Sequence, residues 1–284
     1  MCDSRLMTKQ SQGALLMLAS AFLFSAHLLI LKHASLSLHP FQIAFLRNTM
    51  ASVVLGGMLL WVGPSMIRNG RTFALRCVLG AGAGLALYYA NANAPLAAVT
   101  LIFHARIFLL LALASLILKE QISPPRWLAI IMGFTGIIIV IMPDRTGGWS
   151  MGLLAATAAA ALSSGSQIAV KALTRDNAPL TIAAFSQLAI TALSAPMAIP
   201  VWLAPPLPAM ALIGTAAAFS AMAALAAAKA FSLTQASVVS PMDNAGIVLS
   251  AALGFVFFGE APGPGIVIGA ILVLGGAFYV AQKT

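Results

Sequence analysis

The chain has 284 residues, of which 61% are hydrophobic and 7% charged, with a net charge of +9. A soluble domain carries roughly a quarter charged residues, so this composition excludes a soluble globular protein and points to a polytopic membrane protein. In that setting the basic excess does not indicate nucleic acid, because Lys and Arg in short loops set orientation, and Cys2 and Cys77 make neither a disulfide framework nor a metal-ligand pattern.

Met1 to Gln12 reads as a short polar cytoplasmic tail with Arg5 and Lys9, and Gly13 to Leu31 as the first apolar span. No small-residue cleavage site follows it, so a retained helix is expected rather than a signal peptide. Pro40 opens the second span, to about Trp61, where it removes no helical hydrogen bond. Arg68, Arg71 and Arg76 read as a basic loop. The third span covers about Phe73 to Ala92 and the fourth Pro95 to Leu118; only ANANAP separates them, so they form a tight hairpin. Pro124 and Pro125 introduce the fifth span, Arg126 to Met142, and residues 144–149 (DRTGGW) are the linker between halves. The second half repeats the rhythm over Ser150 to Leu173, Leu180 to Leu203, Leu207 to Phe231, Gln235 to Phe258 and Pro262 to Ala281. Segments of about 20 residues rise about 30 Å, the thickness of the hydrocarbon core.

The halves, residues 13–143 and 150–284, read as an internal repeat. Lys32 matches Lys171, Arg47 matches Gln187, Glu120 matches Glu260 and Gly136 matches Gly276, at offsets of 139 or 140. The fourth and ninth spans share a layout: at an offset of 140, Phe103 matches Asp243, His104 matches Asn244 and Arg106 matches Gly246. Five spans per copy force opposite orientations, the plan of transporters whose site lies at the midplane between repeats. The expected fold is an all-α polytopic membrane protein with ten transmembrane helices in two inverted five-helix repeats. With both termini cytoplasmic, eleven basic residues fall on the inner side and Lys32, Arg47 and Arg145 on the outer side, a strong positive-inside bias. Location in the cytoplasmic (inner) membrane follows.

Charges within the hydrocarbon core cost at least about 2.5–3.5 kcal/mol each and rarely persist without a role or a partner. Arg106 and Asp243 are such residues, and their helical depths match to a few ångströms. They are expected to pair and to act together in substrate binding and coupling, with protons as the coupling ion; a static ion pair is the plainer alternative. Ser163 and Gln167 share a helical face with Lys171, Tyr88 pairs with Asn91, and Asn244 lies on a face with Ser237 and Ser240. Such stripes are either interhelical bonds or the lining of a wet cavity. The candidate substrate-binding set is therefore Tyr88, Asn91, His104, Arg106, Ser163, Gln167, Asp243 and Asn244. A cation and an anion in one cavity suit a zwitterion, and Tyr88, Tyr89, Phe103 and His104 offer stacking surface for a ring. Lys32 and Lys171, near helix ends, are expected to snorkel to the headgroups. Glu120 and Glu260 read as structural, and Gly80 with Gly84, and Gly265 with Gly269, as close-packing pairs.

Residues 148–152 fit G-x-S-x-G, but a nucleophile elbow needs a preceding strand, and an interhelical linker stands there. Neither a P-loop nor an HExxH motif occurs, so no cofactor, metal or catalytic residue is implied.

LKE at Leu118 to Glu120, Arg126-Trp127, GFTGIIIV from Gly133, FFGE at Phe257 to Glu260, GAILVLGG from Gly269 and HPFQIAFLRN from His39 together resemble the drug/metabolite transporter superfamily, in its EamA-domain branch. The stretch from Ala236 to Glu260 is similar to the part of that branch containing riboflavin and S-adenosylmethionine importers. The resemblance implies a secondary transporter of a small organic solute, with the third, fourth, eighth and ninth spans and the sloping first and sixth around a central cavity. Two positions depart from the pattern: Arg106 stands where the family has Pro, and Asp243-Asn244 where it has Glu-Tyr or similar. An intramembrane enzyme acting on lipid would need a His and acid cluster, and a structural protein would not need charges at the midplane.

Overall fold

A computed structural model describes residues 9–63, 66–118, 124–142, 150–233 and 242–282. The described residues form helices joined by short connections, without a strand. The helices are α1 (Lys9–Ala34), α2 (Pro40–Val62), α3 (Gly70–Asn93), α4 (Leu96–His104), α5 (Arg106–Leu118), α6 (Pro124–Ile141), α7 (Met151–Leu173), α8 (Pro179–Ala198), α9 (Leu207–Leu233), α10 (Ala245–Phe258) and α11 (Pro264–Gln282), with a 3-10 turn at Ile199–Val201. Six of them, α1, α2, α3, α7, α8 with its 3-10 turn, and α9, are long and apolar enough to cross a membrane. Shorter apolar helices stand where the fourth, fifth, ninth and tenth spans are expected.

The helix boundaries have local causes. Pro40 and Pro179 occupy first-turn positions, where a missing N–H costs nothing. His39 caps α2 by accepting from Phe41 N, and Asn69, at φ 65°, caps α3 by accepting from Thr72 N. Ser150, the serine of the G-x-S-x-G match, caps α7 by accepting from Leu153 N. That is ordinary N-cap chemistry.

The fourth span, expected as one helix, is broken at Ala105, where Phe108 N donates to Ala105 O three residues back. The ninth is interrupted in the same way at Asn244, with Ile247 N donating to Asn244 O. The breaks lie 139 residues apart, which puts His104 opposite Asp243 and Ala105 opposite Asn244. The expected pairing of Phe103 with Asp243 is thus out by one residue.

Helix contacts are symmetric between the halves. The first span of each half lies against the third span of the other, as α1 on α9 and α7 on α3. Each first span also meets the other half's fourth, as α1 on α10 and α7 on α4 and α5. The second spans pair as α2 on α8, and the last as α6 on α11. Small residues allow the last crossing. A Cβ on Gly269 would collide with Val140, and one on Gly136 would lie 3.0 Å from Gly269 O. The close-packing role expected for Gly269 holds.

Large apolar side chains such as Val53, Leu60, Trp61, Val256 and Ile271 are exposed, the arrangement a hydrocarbon solvent allows. The interior is alanine-rich and stitched by short polar contacts. Ser20 Oγ donates to Ala223 O at 2.8 Å, His27 Nδ1 meets Ala216 O at 2.7 Å, and Asn91 Nδ2 donates to Leu28 O at 2.8 Å. Each such bond contributes about 0.6 kcal/mol, and together they fix helix register.

Candidate functional site

Helices of both halves enclose a cavity of about 220 Å³. Arg47, Asn48, Arg76, Gly84, Tyr88 and Phe103 line it from the first half, and Ser163, Ser166, Gln167 and Gln187 from the second. Of the expected binding residues, Tyr88, Ser163 and Gln167 reach it. Asn91, His104, Arg106, Asp243 and Asn244 are not among its lining. Asn91 is instead spent on the α1 backbone. The expected ring of spans also changes. Among the described residues, the second and seventh spans, α2 and α8, line the cavity, and the first, eighth and ninth do not.

Two arginines dominate its chemistry. Arg47 Nη2 donates to Ser220 Oγ at 2.6 Å, and its Nη1 to Asn48 Oδ1 at 3.3 Å. Gln187 Nε2 donates to the same Asn48 oxygen at 3.1 Å. Arg76 Nη1 donates to Ser166 Oγ at 2.7 Å. Reading Arg76 as a loop residue was wrong: it lies in the second turn of α3 with its guanidinium against Gly80. Gly80 therefore makes room for a charge. A Cβ on Gly84 would have nothing within 4 Å, so this glycine borders open space. The expected close packing holds for Gly80, where a Cβ would also lie 2.9 Å from Ile190 Cδ1, and fails for Gly84. The pattern R-x-x-x-G-x-x-x-G places all three residues on one helical face and was the available signal.

The helix breaks form a second cluster beside the cavity. His104 Nδ1 lies 3.8 Å from Asp243 Oδ2, and the Arg106 guanidinium covers the Phe103 ring at 4.1 Å. No ion pair joins Arg106 to Asp243, so the expected pairing is corrected: Asp243 faces His104, the residue at the matching break. Phe103 stacks with Phe24 at 6.2 Å between centroids and links cluster and cavity.

A third node ties one end of the bundle. Lys32 forms an ion pair with Glu260 and donates to Ala94 O at 2.7 Å. Glu260 Oε2 accepts from Leu96 N at 2.8 Å. Leu96 opens α4 behind Pro95, which offers no side-chain cap, so a carboxylate from the other half satisfies that orphan donor. Gly259, at φ 67°, turns the chain so that Glu260 folds back, a conformation that favours glycine. Lys32 is 8% exposed and does not snorkel as expected. The sequence counterpart Glu120 lies outside the described residues.

With Arg76, Lys32 and Arg47 removed from the loop charges, ten basic residues remain on the expected inner side against one on the outer.

The EamA-like transporter family model matches residues 11–142 and again 150–282. The chain belongs to this family. An S-adenosylmethionine uptake transporter of Rickettsia prowazekii is 26% identical over 251 residues, 88% of this chain and 85% of the relative. A riboflavin transporter of Brucella anthropi is 26% identical over 253 residues, 85% of this chain and 87% of the relative. A solved crystal structure shares the fold at TM-score 0.63 and 22% identity, covering 95% of this chain and 98% of that one. The protein is a multi-pass membrane transporter of small molecules and not an enzyme.

Proposed function

We propose that this EamA-like protein is a secondary active transporter that moves a small organic metabolite by alternating access, through the cavity between two inverted five-helix repeats, residues 13–143 and 150–284. One observation carries the reading. A cavity that combines apolar walls with two arginines and several amide and hydroxyl side chains lies between helices of opposite halves, while Lys32 and Glu260, also from opposite halves, close one end of the bundle. Opening that end separates the lysine from the carboxylate. In the orientation with both termini cytoplasmic, the closed end is the outer one, since Lys32, Ala94 and Glu260 all lie at outer helix ends.

Coupling by protons at Asp243 remains part of this reading, with His104 in place of Arg106 as its partner. The carboxylate is about half exposed (48%) while the imidazole is 10% exposed, which makes the carboxylate the more accessible member of the pair to a proton. The test is uptake into proteoliposomes of solutes that raise the Tm of the purified protein, with S-adenosylmethionine and riboflavin among those screened. Saturable uptake, absent from protein-free liposomes, supports transport. Stabilising solutes that bind but never enter would end it.

A further inference from the structure

We propose that the cavity binds the anionic group of its solute, a carboxylate or a phosphate, between the guanidinium groups of Arg47 and Arg76. Taking the cavity as the solute's path follows the transport reading above.

The charge balance is the first support. The four helices that supply nearly all of the lining, α2, α3, α7 and α8, contain Arg47, Arg71, Arg76 and Lys171 but no Asp or Glu. Neither cavity arginine forms an ion pair among the described residues; hydroxyls and an amide oxygen are their hydrogen-bond acceptors. Neutral acceptors satisfy donors without compensating the charge, and a charge even partly buried without a counter-ion is costly. Each guanidinium has five N–H donors. The Nε of Arg47 and the Nε of Arg76 are both buried without any hydrogen-bond partner. An anion in the cavity supplies the missing charge and new acceptors together.

The direction of Arg76 is the second support. Helical side chains lean toward the helix N-terminus, and an arginine serving only as a topology signal would follow that lean to the headgroups. Arg76 does the opposite. Its head lies on Gly80, one turn deeper, where a Cβ would strike Nη1, and it is held there by Ser166. A glycine is thus used to admit a charge into the bundle. Counting from their helix starts at opposite ends, Arg76 lies about 9 Å and Arg47 about 10 Å inside. The two cations approach the cavity from opposite ends. Gln167 adds a neutral donor that can orient an anion's oxygens, while Gln187 is held on Asn48.

The test is binding to the full chain in detergent, read as Tm shift at constant ionic strength. Benzoate, glutarate and phenyl phosphate are compared with neutral benzamide and glutaramide. Stabilisation by the anions but not by the amides is expected, and the stronger of carboxylate and phosphate names the group. Arg47→Gln and Arg76→Gln should each weaken binding at least about tenfold, as loss of one charge-assisted contact implies. Gly80→Ala should weaken it with both arginines retained, which keeps the test decisive if the arginine variants do not fold. Equal stabilisation by anions and amides, no stabilisation by any anion, or undiminished binding in these variants overturns the proposal. Binding in detergent does not require transport. Anion binding without liposome uptake would therefore overturn transport alone, and uptake of a solute indifferent to Arg47 and Arg76 would overturn this assignment alone.

Discussion

Glu260→Gln perturbs the node that joins the two halves. In the native protein one carboxylate oxygen pairs with Lys32 and the other accepts from Leu96 N at 2.8 Å. Their side chains are 10% and 20% exposed, so water screens the pair weakly. Removing one partner of a buried pair costs about 3–5 kcal/mol, because the other charge stays buried. Lys32 keeps Ala94 O at 2.7 Å, and a glutamine retains a carbonyl for Leu96. We therefore expect the lower end, about 3 kcal/mol. At roughly 2–4 °C per kcal/mol this lowers the Tm by roughly 6–12 °C. Thermal unfolding of the purified protein in detergent measures it. The double variant Lys32→Met with Glu260→Gln removes both charges and should recover most of the loss. A change of less than about 1 kcal/mol for Glu260→Gln, the range of exposed pairs, would refute the reasoning.

Gly84→Leu projects a side chain into open cavity space. It should leave stability within about 1 kcal/mol of the native protein and abolish solute-induced Tm shifts; full retention of those shifts would place the solute elsewhere. Asp243→Asn removes one partner of a 3.8 Å pair whose carboxylate is 48% exposed, so stability should fall by less than about 1 kcal/mol. In proteoliposomes that variant should lose pH-driven accumulation and keep solute exchange; undiminished accumulation would remove Asp243 from coupling.

Composition and periodicity made the helices and the repeat legible, because in lipid every backbone polar group must be satisfied within a span. Prolines and caps fixed the ends well: Pro40 begins α2, and Ser150 caps α7. The break at Ala105 was harder to see, since no Gly or Pro stands at positions 96–118. Its trace was indirect. Arg106 replaces a proline in the resembling family, and the helix restarts at that residue. Depth alone named Arg106 as the partner of Asp243, whereas His104, two residues earlier, is the side chain within 4 Å. Lys32 and Arg76 were misread for a related reason. Distance from a helix end does not tell whether a long basic side chain runs outward to headgroups or inward to a partner. Glu260 decides that for Lys32, and the room left by Gly80 decides it for Arg76. Tyr88, Ser163 and Gln167 were recoverable because helical spacing puts polar residues on one face whatever that face meets.

Alternating access through this cavity is tested most directly by Gly84→Cys in a chain with Cys2 and Cys77 changed to Ser. Labelling with a membrane-impermeant thiol reagent is measured in sealed vesicles of each orientation. Reagent applied from the side bearing Lys32 and Glu260 should label slowly while that pair is intact, and several-fold faster once Glu260→Gln is added. A cysteine at position 84 that stays unreactive from that side in both backgrounds would contradict the account.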